Sequence, residues 1–418
     1  MRRLLSALVV CVALLALLAA CGGSEETAEG EATAVVEATE DAPGTTGAAA
    51  QEPTTSAAEP LLLRIGFAGD LTGPYAAYEV PLLKGMEFAA EQINANEEGV
   101  QVEVVSKDYK GDQSLALTTT QELIDDGVRL FAVTVSESNI PQALLINEAG
   151  GVATLGTNSS PQVIADSGER SVMIMFPDFY QAAADAQYAC DQGYKTAYTI
   201  GSPQLPYTNN TPRYFADAFA QICDGQIVGE DEYKFGQTEF GTQVTKIQRV
   251  DPAPDVIFTP MFIPDFGAFM KQLRSSGVEA PVITTDGNDT PVLVDSAGSA
   301  VDGVVYSTHG FPEDNGAMAQ FFDEYTEIMG EAPESNTYEA IGRDTVYVLV
   351  EAAKNAGSAE PDAILDAVLH LSDLELVTGP FTMNPETGMP EKEVTLIKME
   401  GTEFTLLDTV VPSYLPKE

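Results

Sequence analysis

Short apolar runs and helical stripes alternate along residues 61–355. The runs at 61–68, at Val102, Val104 and Val105, at 130–135 and at 152–155 have the length and hydrophobicity of strands buried in a parallel sheet. Between them, Leu82, Met86, Ala89 and Ile93 recur on one helical face, with Pro81 suited to the first helical position. Residues 114–126 and 141–148 read as two further helices. A second series follows Phe176 and Pro177, with helices expected at 181–190, 212–221 and 264–275 and strands at 196–200, 256–259, 282–285 and 304–308. Helices at 318–329 and 336–355 are expected to return to the first series. Residues 382–411 read as short strands with turns at 384–388 and 400–401. Such alternation predicts an α/β protein, here with two doubly wound parallel-sheet lobes.

The first 60 residues do not share this pattern. Arg2 and Arg3 precede an apolar run from 4 to 20 that ends in Leu18, Ala19, Ala20 and Cys21. A basic start, an apolar stretch and small residues before a cut describe a secretory signal peptide over 1–20. No basic stop-transfer flank follows, which argues against a retained membrane helix. The Leu-Ala-Ala-Cys string resembles the bacterial lipobox, which implies cleavage before Cys21 and a lipid on its thiol. The protein is then expected to be extracytoplasmic and lipid-anchored to the bacterial cell membrane. Apart from Val35 and Val36, residues 22–60 are all Ala, Gly, Ser, Thr, Glu, Asp, Pro or Gln. Too little apolar surface is present to offset the entropy of ordering, so 21–60 is expected to be a disordered acidic tether.

Charge narrows the function classes. Twenty Lys and Arg against 64 Asp and Glu give a net charge of −44. Nine of the acids lie between 22 and 60, and Arg2 and Arg3 precede them, which leaves −37 for residues 61–418. Phosphate neutralisation dominates nucleic-acid affinity, so this balance excludes a DNA or RNA partner. Solubility accounts for it better than a dedicated cationic partner does. Outside the leader and Cys21, the cysteines are Cys190 and Cys223. Export makes a disulfide between them feasible, and closing that loop would contribute roughly 3 to 4 kcal/mol. Neither cysteine is near a histidine in sequence, so no metal and no cofactor is expected.

Candidate chemistry lies at strand ends. The run at 130–135 stops at Ser136, and the run at 152–155 opens onto Thr157 and Ser159. Ligands in parallel sheets bind beyond the carboxyl ends of the strands, where helix N-termini and free backbone groups converge. Any one of these hydroxyls would serve as an ordinary turn or cap residue, but two neighbouring strand ends carry them. Asp286 ends the strand at 282–285 in the second series. A zwitterion taken from water needs donors for its carboxylate and an anion or carbonyls for its ammonium.

Gly69, Thr72, Gly73 and Pro74, followed by Tyr78, Gly85, Ala89, Ile93 and Asn94, resemble the opening of the type I periplasmic binding proteins of the leucine/isoleucine/valine-binding branch. Residues 108–113, the helix at 337–355 with Tyr338, and Gly379, Pro380 and Phe381 through Gly388 resemble later landmarks of that family. The resemblance spans residues 61–418. It implies two lobes joined by a three-crossing hinge, with crossings near 176, 309 and 381, and a ligand engulfed as the lobes close. Lobe 1 would hold 61–176 and 310–380, and lobe 2 would hold 177–309 and 381–418. It further implies that Ser136 and Ser159 bind a ligand carboxylate, that the Thr157 carbonyl and Asp286 meet an ammonium, and that Tyr78, Tyr207 and Phe262 cover the ligand. The implied protein is a monomeric solute-binding lipoprotein that delivers a branched-chain or other amino acid to an ABC permease.

Glu137 departs from the family pattern, since leucine-binding relatives carry small neutral residues there. An inward-pointing acid beside a carboxylate site would favour a cationic ligand, an amide, or a ligand that is not an amino acid. Binders of an amide, urea or aromatic acid, and a ligand-sensing receptor subunit, are the neighbouring readings. The sequence ends at Glu418 without a membrane helix or signalling domain, which argues against the receptor. A hydrolase would have to use His309 or His370, the two histidines. The chain contains no Gly-x-Ser-x-Gly elbow, phosphate-binding loop or zinc-protease helix, so a binding protein, not an enzyme, is expected.

Overall fold

The computed structural model describes residues 59–96, 99–134, 138–156, 161–335 and 337–417. The leader, Cys21, the tether up to residue 58, and Ser136, Glu137, Thr157 and Ser159 lie outside these residues. The first series builds β1 (Leu61–Gly69), α1 (Ala76–Ala95), β2 (Val100–Asp108), α2 (Gln113–Asp125), β3 (Leu130–Val133), α3 (Asn139–Glu148), β4 (Val152–Leu155), α4 (Pro161–Asp166) and β5 (Ser171–Met173). Its five strands form a parallel sheet in the order β2-β1-β3-β4-β5. The order reverses between β1 and β3, which opens a crevice at their carboxyl ends.

The second series builds α5 (Asp178–Asp191), β6 (Thr196–Gly201), α6 (Pro206–Cys223), β7 (Gln226–Glu232), α7 (Gly241–Arg249), β8 (Val256–Phe258), α8 (Asp265–Ser275), β9 (Val282–Thr284), α9 (Val292–Ala297) and β10 (Val305–Thr308). The chain then forms α10 (Ala317–Met329), α11 (Tyr338–Ala356), α12 (Pro361–Leu369), β11 (Leu374–Leu376), β12 (Gly379–Asn384), β13 (Met389–Glu391), β14 (Val394–Glu400) and β15 (Glu403–Val410). The second sheet has seven strands in the order β15-β14-β10-β9-β8-β6-β7, with β14 and β15 antiparallel at one edge. Strands β11 to β13 make a separate small sheet, and the Met173 amide donates to the Gly388 carbonyl at 2.8 Å. That tie keeps 379–391 beside the first sheet, so the chain rejoins the second sheet at Val394, beyond the expected crossing near 381.

Two helices start earlier than their prolines suggest. Helix α1 begins at Ala76 with Pro81 inside it, and α6 begins at Pro206 with Pro212 inside it. Proline removes one helical N–H, and at Pro212 the consequence is visible. The Thr208 carbonyl four residues earlier instead accepts the Ser202 amide at 3.0 Å. Strand β7 lies outside the expected elements; it is the sheet's edge, where Glu230, Asp231 and Glu232 are tolerated and discourage further pairing. Helices α7 and α12 and the short β5 also went unread. Helix α7 buries only Gln243, Val244 and Ile247.

The first lobe is held by α1 lying across α11. Two glycines let the backbones touch: a Cβ on Gly85 would stand 1.9 Å from the Glu339 carbonyl oxygen, and one on Gly342 would stand 1.9 Å from that of Leu82. In the second lobe, Cys190 at the end of α5 and Cys223 at the end of α6 are joined by a disulfide with Cα atoms 5.7 Å apart. Among the described residues, no helix is long and apolar enough to cross a membrane, and no cluster of acids, histidines or cysteines could hold a metal ion.

Candidate functional site

The carboxyl ends of β8, β9 and β10 and the N-terminal ends of α5, α6 and α11 converge on one residue. Asp286 sits in a short turn directly after β9 and is buried. Its Oδ1 accepts from the Tyr207 hydroxyl at 2.7 Å and from Gln181 Nε2 at 2.9 Å. Its Oδ2 lies 3.3 Å from His309 Nε2. The His309 ring is stacked on Phe176, with centroids 4.0 Å apart. Burial pushes the Asp286 carboxyl up, but His309, through its hydrogen bond and its charge, and then Tyr207 and Gln181, outweigh it. The net result is a group held below its ordinary value, hence a carboxylate. Burial, followed by the Asp286 charge, raises Tyr207, so its phenol keeps its proton.

Residues of the first lobe close over this turn. The Tyr78 hydroxyl donates to the Gly287 carbonyl at 3.0 Å and the Tyr338 hydroxyl to the Asp286 carbonyl at 2.9 Å. Thr337, just ahead of α11, donates to Asp289 Oδ2 at 2.7 Å. Phe262 stacks on Tyr207 at 5.6 Å and meets Tyr78 at 6.0 Å. Tyr78, Tyr207, Phe262 and Asp286 are therefore in one cluster. Gln181 and His309 belong to it as well and were not read as site residues. Parallel register carried the signal for His309: Tyr306 pairs with Thr284, so the residues just beyond β10 must flank those just beyond β9.

Beside the cluster lies a cavity of about 420 Å³ between the lobes. Tyr75, Tyr78 and Tyr109 line it from one side and Phe235, Phe262 and Asp265 from the other. A separate hollow of about 450 Å³ beside Arg213 and Glu230 shares none of the described residues with it.

Behind Tyr78, the fully buried Glu79 accepts from Thr134 Oγ1 at 2.5 Å and from the Asp70 amide, and faces the Tyr109 hydroxyl at 3.4 Å. Burial pushes its carboxyl up to about 8, with the Asp70 charge adding to it and the Thr134, Asp70 amide and Tyr109 bonds opposing. Glu79 is thus neutral in the folded protein at pH 7, while the unfolded chain ionises near the ordinary value of 4.5. A raised acid contributes stability that is complete below 4.5 and is lost as pH rises through 8. Thermal unfolding from pH 5 to pH 8.5 is expected to show a fall in Tm that Glu79→Gln shrinks. Equal slopes for the two proteins would refute a neutral Glu79.

Two three-layer lobes with a polar cluster and a cavity between them define a binding protein that holds a small solute. Residues 63–403 match the family model described as periplasmic binding protein, and the chain belongs to that family. It is 23% identical over 331 residues to Leu/Ile/Val-binding protein homolog 1 of Brucella abortus (strain 2308), covering 78% of this chain and 87% of that protein. Among solved structures it is similar to the branched-chain amino acid transporter substrate binding protein LivJ from Streptococcus pneumoniae in complex with isoleucine (TM-score 0.74, 23% identity, 84% of this chain and 100% of that one). It is also similar to an ABC transporter solute binding protein from R. palustris in complex with 4-hydroxybenzoate (TM-score 0.75, 18% identity, 84% and 98%). The fold and the family are those of extracytoplasmic solute-binding proteins and not of enzymes.

Proposed function

We propose that the protein captures a small polar ligand, a branched-chain or other amino acid, between its lobes, closes on it by a hinge, and delivers it to an ABC permease in the membrane. The lobes in this reading are 61–176 with 310–380, and 177–309 with the strands from 394 onward, while 381–393 belongs to the connecting small sheet. Ser136 and Ser159 take the ligand carboxylate, and the Thr157 carbonyl and Asp286 take the ammonium. Tyr78, Tyr207 and Phe262 cover it. A lipid on Cys21, exposed by removal of residues 1–20, keeps the monomeric receptor at the cell membrane on its acidic tether.

The observation that carries the reading is the buried Asp286 carboxylate in the turn that two phenols of the first lobe grip. The Tyr207 hydroxyl is 2.7 Å from Asp286 Oδ1 and 3.2 Å from Gln181 Oε1, so turning its proton to Gln181 frees a lone pair for an incoming ammonium. The R. palustris neighbour bound to 4-hydroxybenzoate supports an aromatic acid as the second reading. Calorimetry with the twenty amino acids, amides, urea and benzoates separates the two: an amino acid is expected to bind, and binding of a benzoate with no amino acid bound would overturn the proposal.

A further inference from the structure

The cavity beside the Asp286 cluster has a chemistry of its own. Its walls are largely aromatic: Tyr75, Tyr78 and Tyr109 from the first lobe, Phe235 and Phe262 from the second. The faces form a continuous set, with Phe262 6.0 Å from both Tyr78 and Phe235. Among the described lining residues stands one acid. Asp265 is 5% exposed, and its Oδ2 accepts the Gly236 amide at 2.9 Å. No donor among the described residues reaches its Oδ1, and no Lys or Arg is among the described residues lining the cavity. Burial pushes this carboxyl up to about 6, as it does for an acid that lacks a counter-charge.

Asp286 is equally buried but differs in its partners. Three side chains satisfy it, whereas Asp265 has one backbone donor and an oxygen left over. A buried carboxylate without a partner is costly unless a cation arrives. Aromatic faces carry negative charge at their centres, so they attract cations and repel anions. The net charge of −37 over residues 61–418 acts in the same direction at longer range, raising the local concentration of cationic solutes.

We infer that this chamber receives a second positively charged group, so that the ligand class is amino acids with a basic side chain, not branched-chain ones. The inference rests on the amino-acid reading above, in which the α-carboxylate and α-ammonium are held at Ser136, Ser159 and Asp286. Tyr78 and Phe262 join the two compartments: both line the chamber, and both belong to the cluster around Asp286. The side chain leaves the α-carbon past these two rings, and its charged end reaches Asp265.

L-norleucine supplies the control, since it keeps the straight aliphatic chain of lysine and lacks the terminal charge. Titration calorimetry on the purified full chain, with L-lysine, L-arginine, L-norleucine and L-leucine, is expected to show lysine or arginine bound at least tenfold more tightly than norleucine. Asp265→Asn is expected to cut that preference to under threefold, and Asp265→Glu to retain it. Norleucine or leucine binding as tightly as both basic amino acids, or a preference untouched in a folded Asp265→Asn protein, would overturn the inference while leaving an amino-acid receptor. Binding of none of the four would overturn the inference, while the calorimetric screen of all twenty amino acids decides the amino-acid reading separately. The lysine-to-norleucine ratio of the unaltered protein decides the matter even if the variant does not fold.

Discussion

Gly342→Ala is expected to lower the Tm by several degrees, although alanine is the better helix former. Two effects oppose each other there. Replacing glycine by alanine inside a helix such as α11 gains about 0.8 to 1 kcal/mol of propensity. The added methyl would stand 1.9 Å from the Leu82 carbonyl oxygen and 2.8 Å from its carbonyl carbon. Those are backbone atoms of α1, which cannot rotate aside as a side chain does, so the helices must separate along their shared face. Overpacking of this kind costs about 1 to 3 kcal/mol, and more where nothing gives, so the clash wins. Gly342→Val enlarges the loss. Calorimetric melting of both variants checks this, and an unchanged or raised Tm for Gly342→Ala would show that α1 and α11 approach less closely. Gly85, opposite Glu339, is expected to behave in the same way.

Asp286→Asn is expected to weaken amino-acid binding by roughly 10- to 100-fold while the fold is retained. A hydrogen bond to a charged group contributes about 1.5 to 3 kcal/mol, and each 1.4 kcal/mol is a factor of ten. Asparagine has the same shape and its oxygen still accepts from Tyr207 and Gln181, so the pocket keeps its packing. The lost element is the negative charge proposed to face the ammonium. An acid without an ammonium, such as 4-hydroxybenzoate, would not suffer by the exchange, which makes the variant a test of ligand class as well as of the residue. Titration of the folded variant with the amino acid that binds best to the unaltered protein decides it, and unchanged affinity would remove Asp286 from the ammonium role.

The alternation of runs and stripes made the two parallel sheets legible, because strands such as β3 and β4 are buried along their whole length and leave no polar interruption. Elements with weak or acidic patterns were not legible. Edge strand β7 ends in three acids, of which Glu230 and Glu232 are exposed, and proline positions misdirected the starts of α1 and α6. At the site, Tyr78, Tyr207, Phe262 and Asp286 were named through family resemblance, and they lie together. Gln181 and His309 escaped because their role depends on which neighbours the folding brings, and nothing in their local sequence marks them. Asp265 escaped for a related reason. At the first position of α8 it reads as a helix-start acid, and only the opposing lobe turns it into a wall of a cavity.

Tyr78 and Tyr338 hold the turn after β9 by its main-chain oxygens, not by its side chains. Every residue type supplies that carbonyl. The hydrogen bonds of that grip therefore do not depend on the side chain at position 286, and a lineage could exchange that acid for a neutral residue of similar size without loosening the contact. Preference for one solute over another can drift in such a scaffold while the mechanical joint is inherited intact.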